Sequence, residues 1–207
     1  MTARNSTDHR SIAQAQATAR VRAQRKRHRY QLGAWAGGVV LITAVVTVGL
    51  LTSRPDASRV ERPAPDFTLP TTAGTTVSLS NYRGGPVILY FNEGAGCGAC
   101  TTQLVALEKQ QQAFDDAGLT LLPIVMNTRA QIQPDLDRYG ATTPVLLDDG
   151  TVSRAYDTLG KGMHAELPGH SFVLIDADGT QIWNGDYPSM WLPPQDLLKE
   201  ATSRLGA

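Results

Sequence analysis

Cysteine is almost missing from this chain: of 207 residues only Cys97 and Cys100 carry a thiol. A zinc site built on them would need two further ligands, and there is no second cysteine pair to supply them. A purely structural disulfide between them would close so short a loop that the unfolded chain would hardly be restrained. Other signatures are missing too. There is no Walker lysine, no H-E-x-x-H and no G-x-S-x-G, so the usual marks of phosphate-loop, zinc-protease and serine-hydrolase chemistry are absent. No internal repeat is visible, and the only biased stretch is an Ala/Gln/Arg-rich N-terminal tail. Charge is missing from one long window. Tyr30 to Ser53 contains no Asp, Glu, Lys or Arg, and before it a single acid, Asp8, stands against eight basic residues.

That uncharged window is long enough to cross a hydrocarbon core of about 30 Å as a helix. Residues 31–53 are therefore expected to form a single transmembrane helix, with residues 1–30 as a basic cytoplasmic tail, since Arg20 to Arg29 immediately precede the span. An uncleaved anchor is preferred over a cleaved signal peptide because the leading segment is long and basic and Leu51-Thr52-Ser53-Arg54-Pro55 offers no small-residue cleavage site. The tail's arginines read as orientation and contact with anionic membrane lipid, not as a nucleic-acid site. Residues 54–63, with Pro55 and Pro63 among charged residues, read as a linker. Residues 64–207 then form one extracytoplasmic domain, acidic where the tail is basic: 16 acidic and 8 basic residues from Ala64 onward. The net charge of zero conceals this division.

Within the body, apolar runs alternate with punctuating glycines, the pattern of a sheet covered by helices. Short strands are expected at Asp66 to Leu69 and Thr75 to Leu79, and a buried strand at Val87 to Phe91. A helix is expected over Thr101 to Asp116 and a strand over Leu119 to Met126, then a helix over Arg129 to Tyr139 and a short strand from Val145 to Leu147. A further helix over Val152 to Leu159 precedes a hairpin, Ser171 to Ile175 with Gln181 to Asn184, turning at Asp178-Gly179. The last helix runs from about Pro194 to Leu205.

The cysteines stand at the junction of the buried strand and the following helix, in Phe91-Asn92-Glu93-Gly94-Ala95-Gly96-Cys97-Gly98-Ala99-Cys100-Thr101-Thr102. A two-residue gap in a first helical turn brings two sulfurs together, and the helix N-terminus stabilises a thiolate there. The pair reads as a redox-active dithiol. The same loop satisfies G-x-G-x-x-A, with Asp115 and Asp116 about 20 residues on, but those acids end a helix instead of following the second strand, so nucleotide binding is not expected.

Ala64-Pro65-Asp66-Phe67-Thr68-Leu69, Val77 to Gly84 and Pro86 to Phe91 resemble the opening of the alkyl hydroperoxide reductase/thiol-specific antioxidant (peroxiredoxin-like) redoxins and their membrane-anchored TlpA/ResA-type relatives. The resemblance implies an α/β thioredoxin-like fold, a central mixed sheet flanked by helices, and an oxidoreductase without a cofactor. In thioredoxin logic Cys97 attacks a substrate disulfide and Cys100 resolves it. Aligned on the peroxiredoxin pattern P-x-x-x-[TS]-x-x-C, Cys100 followed by Thr101 takes the peroxidatic place, with Glu93 where that pattern has Pro and Cys97 where it has Thr. The implied partners are a thiol or disulfide protein, or a peroxide, and a redox partner that donates electrons. Pro168, before the strand at Ser171, is the counterpart of the family's cis-proline that faces the cysteines. His170 beside it is placed to act as a base, to lower a thiol pKa, or, as in the similar Sco-type copper chaperones, to join Cys97 and Cys100 around copper. Glu93 and Glu166 are the acids expected to approach the site, with His164 less favourably placed. Trp183, Tyr187 and Trp191 read as core packing against the last helix.

Overall fold

The computed structural model describes residues 35, 37–49, 56–162 and 164–206. The chain divides into two compact units, residues 1–52 and 53–207. In the first, the described residues are helical from 37 to 49, with Val39, Val40, Leu41, Ile42, Val45, Val46 and Val48 exposed. Among the described residues no helix is long and apolar enough to cross a membrane. The expected basic tail, 1–30, and residues 31–34, 36 and 50–53 of the expected span lie outside the described residues.

The second unit is built on a six-stranded sheet. Its strands are β1 (Asp56–Pro63), β4 (Val87–Asn92), β5 (Thr120–Val125), β6 (Leu146–Leu147), β7 (Ser171–Ile175) and β8 (Thr180–Asp186), in the spatial order β1-β8-β7-β4-β5-β6. Two further strands, β2 (Thr68–Pro70) and β3 (Thr76–Ser78), form a separate hairpin. The helices are α1 (Gly98–Glu108), α2 (Gln111–Asp116), α3 (Arg129–Tyr139), α4 (Thr151–Ala155) and α5 (Pro194–Leu205). β4 runs parallel to β5 and antiparallel to β7, so the sheet is mixed, as expected.

The central strand is an apolar run from Val87 to Phe91 because both its faces are covered. Ile88 and Tyr90 enter a cluster with Leu104 and Leu107 of α1, Phe172, Trp183 and Leu197. Val87, Leu89 and Phe91 enter a second cluster on the opposite face with Phe67, Val152 and Tyr156. β4 is thus buried at every position. Its C-terminal end delivers the chain to the cysteine loop.

Several elements differ from expectation. Residues 56–63, read as linker, form the edge strand β1, whose register pairs Arg59 with Trp183 and Arg62 with Gln181. An edge strand tolerates a terminal proline and exposed charges, and that composition is what made the segment look like linker. The helix expected over Thr101 to Asp116 is broken between Glu108 and Gln111 into α1 and α2. The helix expected over Val152 to Leu159 ends at Ala155. Asp148 accepts hydrogen bonds from the amides of Val152 (3.0 Å) and Ser153 (2.8 Å) at its start, and the chain then turns at Asp157, φ 56°.

The edge strand makes one prediction. Arg62 donates to Gln181 Oε1 (2.9 Å) and to the carbonyl of Ala155 (3.0 Å), tying β1 to β8 and to the end of α4. A chain beginning at Ala64 loses both bonds and uncovers the edge of β8. It is expected to be less stable by about 2–3 kcal/mol and more prone to associate through that edge. Urea titration checks this, and an unchanged midpoint would assign β1 no structural weight.

Candidate functional site

The loop after β4 is held by side chains from three directions. Asn92 Oδ1 accepts from the Gly94 amide (3.0 Å), Asn127 Oδ1 from the Ala95 amide (2.9 Å), and Asp135 Oδ2 from the Gly96 amide (2.6 Å). Gly94 sits at φ +75°, and any Cβ there would collide with the Asn127 amide, so glycine is required on both counts. Each amide from Gly94 to Cys97 thereby has an acceptor, the last being the Gly94 carbonyl (3.0 Å). Cys97 then caps α1, its Sγ accepting from the Cys100 amide at 3.2 Å. Gly98 admits the Tyr139 hydroxyl of α3 where a side chain would otherwise stand.

Cys97 and Cys100 are joined in a disulfide, Cα to Cα 5.3 Å. The two sulfurs are unequal. Cys97 is half-buried, whereas Cys100 is 1% exposed. A partner sulfur arriving from solvent meets Cys97 first, and the amide pointing at its Sγ favours the thiolate that forms when the bond opens.

Beneath Cys100 lies a polar pair within the core. Tyr90 Oη donates to the Cys100 carbonyl (3.1 Å), and His170 Nδ1 stands 3.2 Å from the same Oη. Phe172 stacks on Tyr90, ring centroids 4.7 Å apart. Tyr90 lies on β4 and His170 immediately precedes the antiparallel neighbour β7, so the sheet brings them together. Burial pushes the His170 pKa down to about 4, leaving the ring neutral near pH 7, and raises that of Tyr90 well above its ordinary value.

His170 is thus linked to the Cys100 backbone through the Tyr90 hydroxyl. Pro168 is buried in an antiparallel bridge with Leu159, and none of the described peptide bonds is cis, so the cis-proline expectation is not met. Glu93 is 3% exposed: its Oε2 lies 3.1 Å from His164 Nδ1, and its Oε1 occupies the space beside Gly162. His164, which the sequence placed less favourably than Glu93, is thus paired with it. Glu166 is exposed in a turn. Among the described residues no three His, Cys, Asp or Glu side chains gather as a metal site in this disulfide-bonded form. Trp183 and Tyr187 are core residues, while Trp191 is largely exposed. Asp115 and Asp116 accept from Gln111 and Gln112 one turn earlier, as solvated helix carboxylates.

Tyr90, Asn127, Asp135 and Tyr139 were missed. Tyr90 was hidden in an apolar run, and the others belong to segments whose approach to the loop is set by the pairing of β4 with β5. Only the local Asn92 cap was readable from sequence, as an Asx turn.

Residues 60–182 match the AhpC/TSA family. The chain is 34% identical over 121 residues to a Mycobacterium tuberculosis protein named as a peroxiredoxin, covering 56% of this chain and 77% of that one. It is 29% identical over 125 residues to the chloroplastic peroxiredoxin Q of Triticum aestivum, covering 59% of this chain and 58% of the relative's length. Among solved structures it resembles the peroxidoxin BcpB from M. tuberculosis (TM-score 0.59, 20% identity, 72% of this chain and 96% of that one). A chain named as a protein disulfide isomerase from Bacteroides thetaiotaomicron is also similar (TM-score 0.56, 25% identity, 72% and 91%). The fold is α/β and thioredoxin-like.

Proposed function

The chain belongs to the AhpC/TSA family, and from that premise we propose that it is a thiol-dependent oxidoreductase in which Cys97 and Cys100 cycle between dithiol and disulfide to exchange with substrate disulfides. The observation that carries this reading is the inequality of the two sulfurs, joined across the start of α1 with Cys97 accessible and Cys100 buried. In the reductive direction the Cys97 thiolate attacks one sulfur of a substrate disulfide and expels the other as a thiolate. Cys100 then loses its proton and attacks Cys97, releasing the second substrate thiol and leaving the disulfide seen here. An electron-donating thiol partner restores the dithiol.

Family membership and the Cys100-Thr101 sequence support a second reading, peroxide reduction. There the Cys100 thiolate attacks a peroxide oxygen and becomes a sulfenic acid, alcohol or water leaves, and Cys97 condenses with it, releasing water. In the disulfide form Cys100 is 1% exposed.

The uncharged window Tyr30 to Ser53 and the basic residues before it support membrane anchoring, with the redox domain outside the cytoplasm. Thiol trapping of the detergent-solubilised full chain in graded thiol buffers, with peroxide consumption measured on the same reduced sample, tests the choice. The expected result is one reversible two-electron couple with slow peroxide turnover. Fast peroxide consumption that survives Cys97→Ser for a single turnover would install the second reading.

A further inference from the structure

We propose that the face of α3 carrying Asp135 and Tyr139 is the docking edge for the thiol partner that re-reduces the protein, and that it selects a partner whose cysteine is flanked by Lys or Arg. This rests on the reading above that Cys97 is the sulfur a partner meets, and it assigns the chemistry of that partner.

Asp135 and Tyr139 are four residues apart, so they share one face of α3. That face reaches both neighbours of Cys97. Asp135 Oδ2 accepts from the Gly96 amide at 2.6 Å, and the Tyr139 hydroxyl fills the place a side chain would take at Gly98. The Gly96 nitrogen is four bonds from the Cys97 Cα, which puts the carboxylate within about 10 Å of the sulfur. Tyr139 remains 40% exposed. A carboxylate beside an exposed aromatic ring suits an ammonium or guanidinium group, the one supplying opposite charge and the other a cation–π face.

The charge of Asp135 is not cancelled nearby. Between Asn92 and Leu107 the only Asp, Glu, Lys, Arg or His is Glu93, and it faces His164. Lys161 is paired with Asp186 at 3.6 Å, and Glu108 accepts from the amides of Thr142 and Thr143. On α3 itself Asp137 accepts from Gln133, and Arg138 stands about 60° further round the helix. Among the described residues Asp135, Arg129 and Arg138 take part in no ion pair. A cation arriving beside Cys97 therefore gains from the carboxylate, and an anion is repelled by it.

Whichever substrate oxidises the pair, a thiol must reopen the disulfide seen here. The partner's thiolate attacks Cys97 Sγ, the Cys97–Cys100 bond breaks, and Cys100 leaves as a thiolate. A second thiolate then attacks the partner's sulfur and expels Cys97, so that two electrons enter the protein and the partner leaves as a disulfide. The first of these attacks takes place beside Asp135.

The test reduces the oxidised full chain in neutral detergent with three small thiols: cysteamine, which carries an ammonium group, thioglycolate, which carries a carboxylate, and uncharged 2-mercaptoethanol, which normalises each variant. The readout is the ratio of the cysteamine to the thioglycolate rate constant, in which the intrinsic reactivity of each thiol cancels between variants. Asp135→Asn keeps an oxygen for the Gly96 amide and removes the charge. At low ionic strength it is expected to lower the ratio about four- to tenfold, and the drop is expected to shrink toward nothing in about 0.5 M salt. Tyr139→Leu, which removes the ring, is expected to lower the ratio about twofold. An unchanged ratio in either variant at low salt, or a drop that salt does not reduce in Asp135→Asn, would overturn the docking edge. Rapid acid quenching and mass spectrometry locate the first mixed disulfide. Its recovery on Cys100 in place of Cys97 would instead overturn the reading of the two sulfurs on which the proposal stands.

Discussion

Cys97→Ser is expected to abolish disulfide turnover, with a loss of about 10⁴-fold or more, the scale of removing a catalytic nucleophile. Cys100→Ser is expected to stop turnover just as completely but at a different point. Cys97 is half-exposed at the cap of α1, with the Cys100 amide aimed at its sulfur, whereas Cys100 is enclosed. A chain lacking Cys100 therefore still attacks a substrate disulfide once and then stalls as a covalent adduct, because no second thiol can displace the substrate. Mass spectrometry of the two variants after exposure to a disulfide substrate separates them: an adduct on Cys100→Ser and none on Cys97→Ser. Adducts in the reverse pattern would exchange the roles of the two cysteines.

Trp183→Ala is expected to be the most destabilising single change in the domain. Trp183 is fully buried on β8, in the cluster that joins the sheet to Leu197 and Ala201 of α5, and the Arg204 guanidinium lies 5.2 Å above its ring. Gly185 leaves the space its six-membered ring fills. Truncation removes the largest side chain in that layer and leaves a cavity lined by residues from two strands and a helix, costing about 3–5 kcal/mol. For a domain of this size that lowers the melting temperature by about 10 °C. A loss below about 1 kcal/mol, measured by urea titration at 25 °C, would mean that the layer collapses into the gap.

How far the sequence could be read depended on where the determining interactions lie along the chain. β4, α3, α5 and the β7–β8 hairpin were legible because each carries its own signals: an unbroken apolar run, Gly140 closing a helix, Pro194 opening one, and Asp178-Gly179 at a turn. The cysteine pair was legible for the same reason, being a local motif at a local junction. β1 was not, since what makes residues 56–63 a strand is the edge of β8 more than a hundred residues later. The break between α1 and α2 was missed because Gln110, Gln111 and Gln112 are adequate helix formers and carry no stop signal. His170 was singled out because it neighbours a recognisable strand. The pairing of Glu93 with His164 was not legible, because it brings together residues 71 apart in the chain. Asp135 and Asn127 reach the cysteine loop only once β5 has been laid beside β4.

The shortness of the disulfide-closed loop has a thermodynamic consequence. Because Cys97 and Cys100 are three residues apart, oxidation removes little entropy from the unfolded chain. Oxidation of the unfolded chain is then close to that of an unconstrained C-x-x-C pair, and a cycle linking folding to oxidation takes that pair as its reference. The difference in stability between the two redox forms is therefore the amount by which the fold displaces the potential of an unconstrained C-x-x-C pair, about 1.4 kcal/mol for every 30 mV. A chain that melts later when reduced draws electrons toward itself and serves as an oxidant. One that melts later when oxidised gives them away more readily, so a pair of unfolding curves reads which way the fold has moved the potential before any partner has been found.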